Sequence, residues 1–146
     1  MKDIPEAIFS NFSEKIQPKL RESLYVRLPW DTIPGQRIFV YKYLTDDFLS
    51  LVRKQIPARA TKQILKDSLR GIAELHDQQI VHLGCLSPFY IFHCQIQKLI
   101  DNQISIKPDN IMVNRYYTGQ ETTIEQVQIV DLENAACLPK GRYQRN

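Results

Sequence analysis

The 146-residue sequence predicts an α+β fold, and three observations predict it. Residues 58–76 carry apolar side chains at helical spacing. The separate stretches 37–44, 111–113 and 127–130 are rich in β-branched and aromatic residues. Pro, Gly, Asn and Asp gather between these stretches, so neighbouring strands can join through turns and pair antiparallel.

Composition suits that class. With 43% hydrophobic and 24% charged residues the chain can bury a core, and disorder throughout is not expected. Its length matches one ordinary domain. The formal net charge of +3 is small and its Lys and Arg are scattered, so no nucleic-acid partner is expected. Cys85, Cys94 and Cys137 form no C-x-x-C pair, and His93-Cys94 is too little for a zinc site. Reduced thiols in an intracellular compartment, cytoplasm or nucleus, are the expectation. The charged start, Met1-Lys2-Asp3-Ile4-Pro5-Glu6, holds no apolar h-region and reads as no signal peptide. The most apolar window, 83–100, is interrupted by Pro88, His93, Gln95, Gln97 and Lys98, so no membrane partner is expected.

In chain order, Ile8, Phe9, Phe12, Ile16 and Leu20 predict a helix over 5–21, with Asn11, Ser13 and Glu14 on its polar side and Pro18 kinking it. Residues 23–28 alternate and read as a strand. The turn-rich stretch 29–36 leads into a second strand, 37–44, which closes an antiparallel hairpin. Thr45-Asp46-Asp47-Phe48 opens a helix capped by Thr45 or Asp46 and ended by Ile56-Pro57. The clearest helix follows at 58–76. Ile64, Leu65, Leu69, Ile72 and Leu75 line one face, and Lys62, Lys66, Asp67, Arg70 and Glu74 the other. Residues 114–120 read as a polar turn between the last two strands.

The stretch that carries chemistry is Lys107-Pro108-Asp109-Asn110, followed by Ile111-Met112-Val113 and later by Val127-Gln128-Ile129-Val130, which ends on Asp131. Upstream, the long helix ends in Leu75-His76-Asp77-Gln78-Gln79-Ile80-Val81-His82. Asp109-Asn110 alone would be a turn pair, and Asp131 alone a helix cap. Together, at this spacing, they resemble the protein kinase family, whose catalytic loop reads H-R-D-L-x-x-x-N and whose D-F-G supplies a metal carboxylate.

The resemblance implies a partial protein-kinase-like fold over 1–146. Residues 1–44 would be the remnant of the small lobe and the hinge, and 45–146 the start of the large lobe, with 83–105 an atypical insertion. It implies ATP and Mg2+ as cofactors. Lys107 takes the catalytic role of neutralising the transferring phosphate, and Asn110 and Asp131 hold the magnesium that bridges the phosphates. Lys42, Tyr43 and Leu44 become the hinge that contacts adenine through its backbone, with Tyr41 at the gatekeeper position. Glu14 pairs with Lys2. The implied reaction is phosphoryl transfer from ATP to protein hydroxyls, of Ser/Thr rather than Tyr type, with a protein substrate or partner.

Several departures weigh against activity. His and Lys stand three residues apart in the family, whereas residues 83–106 separate His82 from Lys107. The base position falls on Gly84 counted from His82 and on Ser105 counted from Lys107. Neither can take the proton of a hydroxyl held at about 2.6–3.2 Å. Asp101 is the only acid inside the insertion, with nothing to fix it in place. The insertion is rich in apolar and aromatic groups, which is odd for so long a loop, and reads as translated non-coding sequence such as an unspliced intron. At the D-F-G position stands Asp131-Leu132-Glu133, where Glu loses the freedom of Gly and adds a second negative charge near the metal. No G-x-G-x-x-G precedes Lys2 and no Ala-Pro-Glu follows Arg145. A two-lobed domain needs roughly 250 residues, and without its later helices the long helix would expose apolar surface. The expectation is a catalytically silent kinase-like domain. Its rivals are a pseudokinase-like nucleotide-binding or protein-interaction module and a small basic binding protein unrelated to kinases.

Overall fold

A computed structural model of the chain describes residues 4–82, 106–119 and 121–138. Within them the fold is α+β, with helices set against three small antiparallel sheets. Lys2 and the stretch 83–105 expected to be an insertion, with Gly84, Asp101 and Ser105, lie outside the described residues.

Helix α1 (Glu6–Asn11) does not run on regularly to residue 21. A wide π turn (Phe12–Ile16) and a tight 3-10 turn (Gln17–Leu20) replace the second half of the predicted helix. Pro18 falls in the first turn of the 3-10 segment, where its missing N–H breaks no hydrogen bond. Phe12, Ile16 and Leu20 are all buried, so the apolar stripe survives the change in winding.

Strands β1 (Asp31–Ile33) and β2 (Ile38–Val40) pair antiparallel around Pro34–Gln36, with Asp31 opposite Val40. The predicted hairpin is therefore corrected: its first strand lies inside the stretch expected to be turn, and 23–28 is not part of it. There the Ser23 hydroxyl accepts the Val26 amide at 3.0 Å and the Tyr25 amide at 3.2 Å, diverting donors that a ladder would need. Val26 instead bridges in parallel to Ile129. α1 and the π turn pack on β2 through rings: Phe9 stacks on Phe39 at 4.7 Å and Phe12 meets it edge-on at 5.0 Å. Such pairs contribute about 1 kcal/mol each beyond the area they bury.

The short strand β3 (Asp46–Asp47) leads straight into α2 (Phe48–Arg53). The cap is Asp47 rather than Thr45 or Asp46; its carboxylate accepts the Ser50 amide at 2.8 Å and the Ser50 hydroxyl at 2.6 Å. Helix α3 (Ala58–Asp77) matches its predicted span within a residue. Its buried stripe is Ala60, Ile64, Ser68, Gly71 and Leu75, whereas Leu65 and Leu69, expected inside, are 46% and 65% exposed. Small residues in that stripe let the helix approach closely. A Cβ on Gly71 would stand 2.8 Å from Ile129 Cδ1 and 2.9 Å from the Tyr25 carbonyl oxygen.

After β4 (Ile80–Val81), strands β5 (Ile111–Thr118) and β6 (Glu121–Ile129) form a long antiparallel hairpin that turns at Gly119, φ 65°. Most of 114–120 is strand, not turn. Its Tyr and Thr residues favour the extended backbone, and their exposure makes the stretch look like a loop in sequence. Asn114 pairs with Gln126 and Arg115 with Ile124, so Glu125 is an extra residue on β6. That bulge lets Ile124 and Val127, three apart, both turn inward. β3 pairs with β5, Asp46 opposite Val113, and β7 (Ala136–Cys137) pairs with β4.

Two apolar clusters result. One joins Phe12, Ile16, Val26, Leu75, Ile80, Ile129 and Leu132; the other joins Phe48, Leu51, Ile64, Ile111, Val113 and Val127. Ile106 packs against both, which anchors the start of the 106–110 loop at their junction.

Candidate functional site

The hairpin ladder decides where the charged residues of the last two strands end up. Ile111 and Ile129 are register partners, and the Val130 amide donates to the Asn110 carbonyl at 2.9 Å. Asn110 thus closes one strand's end, and Asp131 follows one residue beyond its partner on the other. The turn Pro108–Asn110 is closed by the Asn110 amide donating to the Lys107 carbonyl at 2.9 Å, and Pro108 presets the backbone at its first position. Lys107 and Asp131 are exposed and Asn110 is half-buried. The ladder therefore brings Lys107, Asn110 and Asp131 to one end of one sheet.

Asp131 adopts the left-handed conformation, φ 64° and ψ 42°. For a residue with a Cβ this costs about 1 kcal/mol and persists only where the surroundings impose it. They do so from both sides. Before it, the His82 ring, itself 4% exposed, donates from Nε2 to the Val130 carbonyl at 2.8 Å. After it, Leu132 is buried, the Ala135 amide donates to the Leu132 carbonyl at 2.9 Å, and Asn11 Nδ2 donates to the Ala135 carbonyl at 3.3 Å.

Glu133 does not stand free beside Asp131 as a second charge. The Tyr41 hydroxyl donates to Glu133 Oε1 at 2.8 Å. The Arg27 guanidinium lies 5.0 Å from the centre of the Tyr41 ring and donates to the Lys42 carbonyl at 2.6 Å. Its Nε is buried with no hydrogen-bond partner among the described residues. Burial, reinforced by the charge and hydrogen bond of Glu133, pushes the Tyr41 phenol far above its usual value. Burial likewise lowers Arg27, against the opposing pull of Tyr41 and Glu133. At neutral pH the phenol stays neutral and the guanidinium charged.

The other predicted positions are spread around this centre. Lys42 and Tyr43 are exposed, and Leu44 is buried. One main-chain acceptor of that stretch, the Lys42 carbonyl, is already taken by Arg27. Glu14 is exposed on the π turn, while its expected partner Lys2 lies outside the described residues. Sequence reasoning missed Arg27 altogether and gave Glu133 only an unfavourable role. No local signal could have linked Tyr41 to Glu133, since 92 positions separate them.

An amide oxygen and a carboxylate are hard donors of the kind Mg2+ prefers, and Mg2+ takes one or two protein ligands alongside phosphate oxygens and water. Among the described residues no three His, Cys, Asp or Glu side chains gather tightly enough to hold a metal by themselves. Among the described residues no helix is long and apolar enough to cross a membrane. No family model matches the chain, and no curated protein or solved structure matches it either.

Proposed function

We propose that the chain is a partial protein-kinase-like domain that binds magnesium-ATP at Asn110 and Asp131 and, as written, transfers no phosphoryl group. The observation that carries this reading is the hairpin register: the ladder sets Asn110 and Asp131 at adjacent strand ends, with Asp131 in a strained backbone conformation. The bond from His82 to Val130 supports it, because it ties the end of the Ile80-Val81-His82 phrase to the residue before Asp131.

In this reading Asn110 and Asp131 present oxygens to the metal, which when bound neutralises charge on the phosphate oxygens. Lys107 offers its ammonium to a phosphate, and the 42–44 backbone faces the adenine. The chain stays silent because Gly84 or Ser105 occupies the position of the base. Its composition suits an intracellular module with a protein partner, without nucleic acid or membrane.

A thermal shift tests the binding. Saturating Mg-ATP raises Tm, since about 100 Kd of a ligand that favours the native state adds roughly 2.7 kcal/mol. Asp131→Asn abolishes the rise. No shift in the wild-type chain at millimolar Mg-ATP would leave only an interaction module without nucleotide. Radiolabel transfer to a generic protein substrate is expected to be nil, and an Asp131-dependent signal would overturn the silence.

A further inference from the structure

We propose that Tyr41 and Glu133, braced by Arg27, form a strut that positions Asp131; the consequence for metal binding rests on the nucleotide reading above. Asp131 sits in a left-handed conformation that its own backbone disfavours. Two residues later Glu133 accepts the Tyr41 hydroxyl at 2.8 Å. Tyr41 follows directly on β2, which ends at Val40. The bond therefore ties the segment after β6 to a different sheet. Arg27 lies over the Tyr41 ring at 5.0 Å and grips the Lys42 carbonyl at 2.6 Å, which fixes the tyrosine end of the strut.

A glutamate at position 133 thus has a constructive use. A glycine there could not reach Tyr41, and the turn after Asp131 would keep the burial of Leu132, the main-chain bond from Ala135 to Leu132, the Asn11 bond to Ala135 and the pairing of β7 with β4, but lose its side-chain tie to the segment after β2. With the strut, Asp131 is clamped between His82 acting on Val130 and Tyr41 acting on Glu133. Tyr41 and Glu133 are positioning residues: they act on the metal site only through the conformation of Asp131.

The test uses the full chain and two readouts. In ligand-free hydrogen exchange, Tyr41→Phe and Glu133→Ala speed exchange of the Ala135 amide about tenfold, as expected for loss of one charge-assisted bond, while the β5–β6 ladder amides hold their rates. Glu133→Gln keeps an acceptor oxygen and restores most of that protection. In electron-spin titrations with Mn-ATP, Tyr41→Phe and Glu133→Ala weaken binding about tenfold, and Glu133→Gln by less than about threefold. Ala135 exchange within about twofold of wild type in Tyr41→Phe, or Glu133→Gln as damaging as Glu133→Ala, overturns the strut. If the wild-type chain binds no Mn-ATP, the nucleotide reading falls, and the exchange comparison still decides the strut.

Discussion

His82 donates from Nε2 to the main-chain oxygen of Val130 at 2.8 Å, which fixes the residue immediately before Asp131. A carbonyl can only accept, so Nε2 carries a proton. The ring is buried, and removing it leaves both a cavity and an unsatisfied carbonyl. His82→Ala is expected to lose about 2–4 kcal/mol in urea unfolding. A loss under about 1 kcal/mol would show that the bond contributes little to the fold.

Gly71→Ala should destabilise the chain by about 1–3 kcal/mol, although the same change on an exposed helix face gains up to about 1 kcal/mol. The sign follows from the neighbours: the new Cβ would stand 2.9 Å from the Tyr25 carbonyl oxygen, part of the backbone that bridges to Ile129. Comparing denaturation midpoints of the two proteins checks it, and a stabilised variant would contradict the packing described.

Asp131→Gly separates stability from binding. Glycine adopts φ 64° without penalty, so this variant should match or exceed the wild type by up to about 1 kcal/mol while losing the thermal response to Mg-ATP. Asn110→Ala should lose the same response without the gain in stability. A retained shift in Asp131→Gly would overturn the metal-binding role proposed for Asp131.

Acid should weaken the junction of β3, α2 and β5 first. Burial pushes the Asp46 carboxyl up, but hydrogen bonds from Arg115 and Lys54 outweigh it and hold the group below its ordinary value of 3.8. Hydrogen bonds from Ser50 hold Asp47 low as well. A depressed folded pKa contributes stability that is complete well above the unfolded value and disappears as pH falls through the folded one. Stability should therefore begin to drop near pH 4 and continue to fall below it. In Asp46→Asn that acid dependence flattens. The same variant costs about 2 kcal/mol at neutral pH, because Arg115, 2.8 Å from Asp46 and only 10% exposed, loses its oppositely charged partner and keeps only its contact with Tyr117 among the described residues. An unchanged acid limb in chemical denaturation would refute the assignment.

Leu69→Gln should change stability by less than about 0.5 kcal/mol. The side chain is 65% exposed on the outer face of α3. A large loss in unfolding free energy would mean that this face packs against something in the folded chain.

Helix α3 was legible because Ile64, Ile72 and Leu75 repeat with its own period, and a twenty-residue helix outlasts local ambiguity. The depth of each residue was not: spacing treats Leu65 and Leu69 like Ile64, whereas the helix turns its small residues, Ser68 and Gly71, inward. Residues 23–28 alternate like a strand, yet the Ser23 hydroxyl takes two of their amides, and Ile129 supplies their bridge. A local pattern records that a face will be buried, and it is silent about what buries it.

The amino-acid order alone determined the long helix and the β-prone runs around Asn110 and Asp131. Those features depend on neighbours in the chain, through periodicity, propensity and turn chemistry. Tertiary structure alone decided that Asn110 and Asp131 share a sheet end, that His82 holds Val130, and that Glu133 bonds to Tyr41. The physical reason is that hydrogen bonds and packing act over a few ångströms in space. Partners 48 or 92 positions apart meet only once the sheets and helices have closed around a common core.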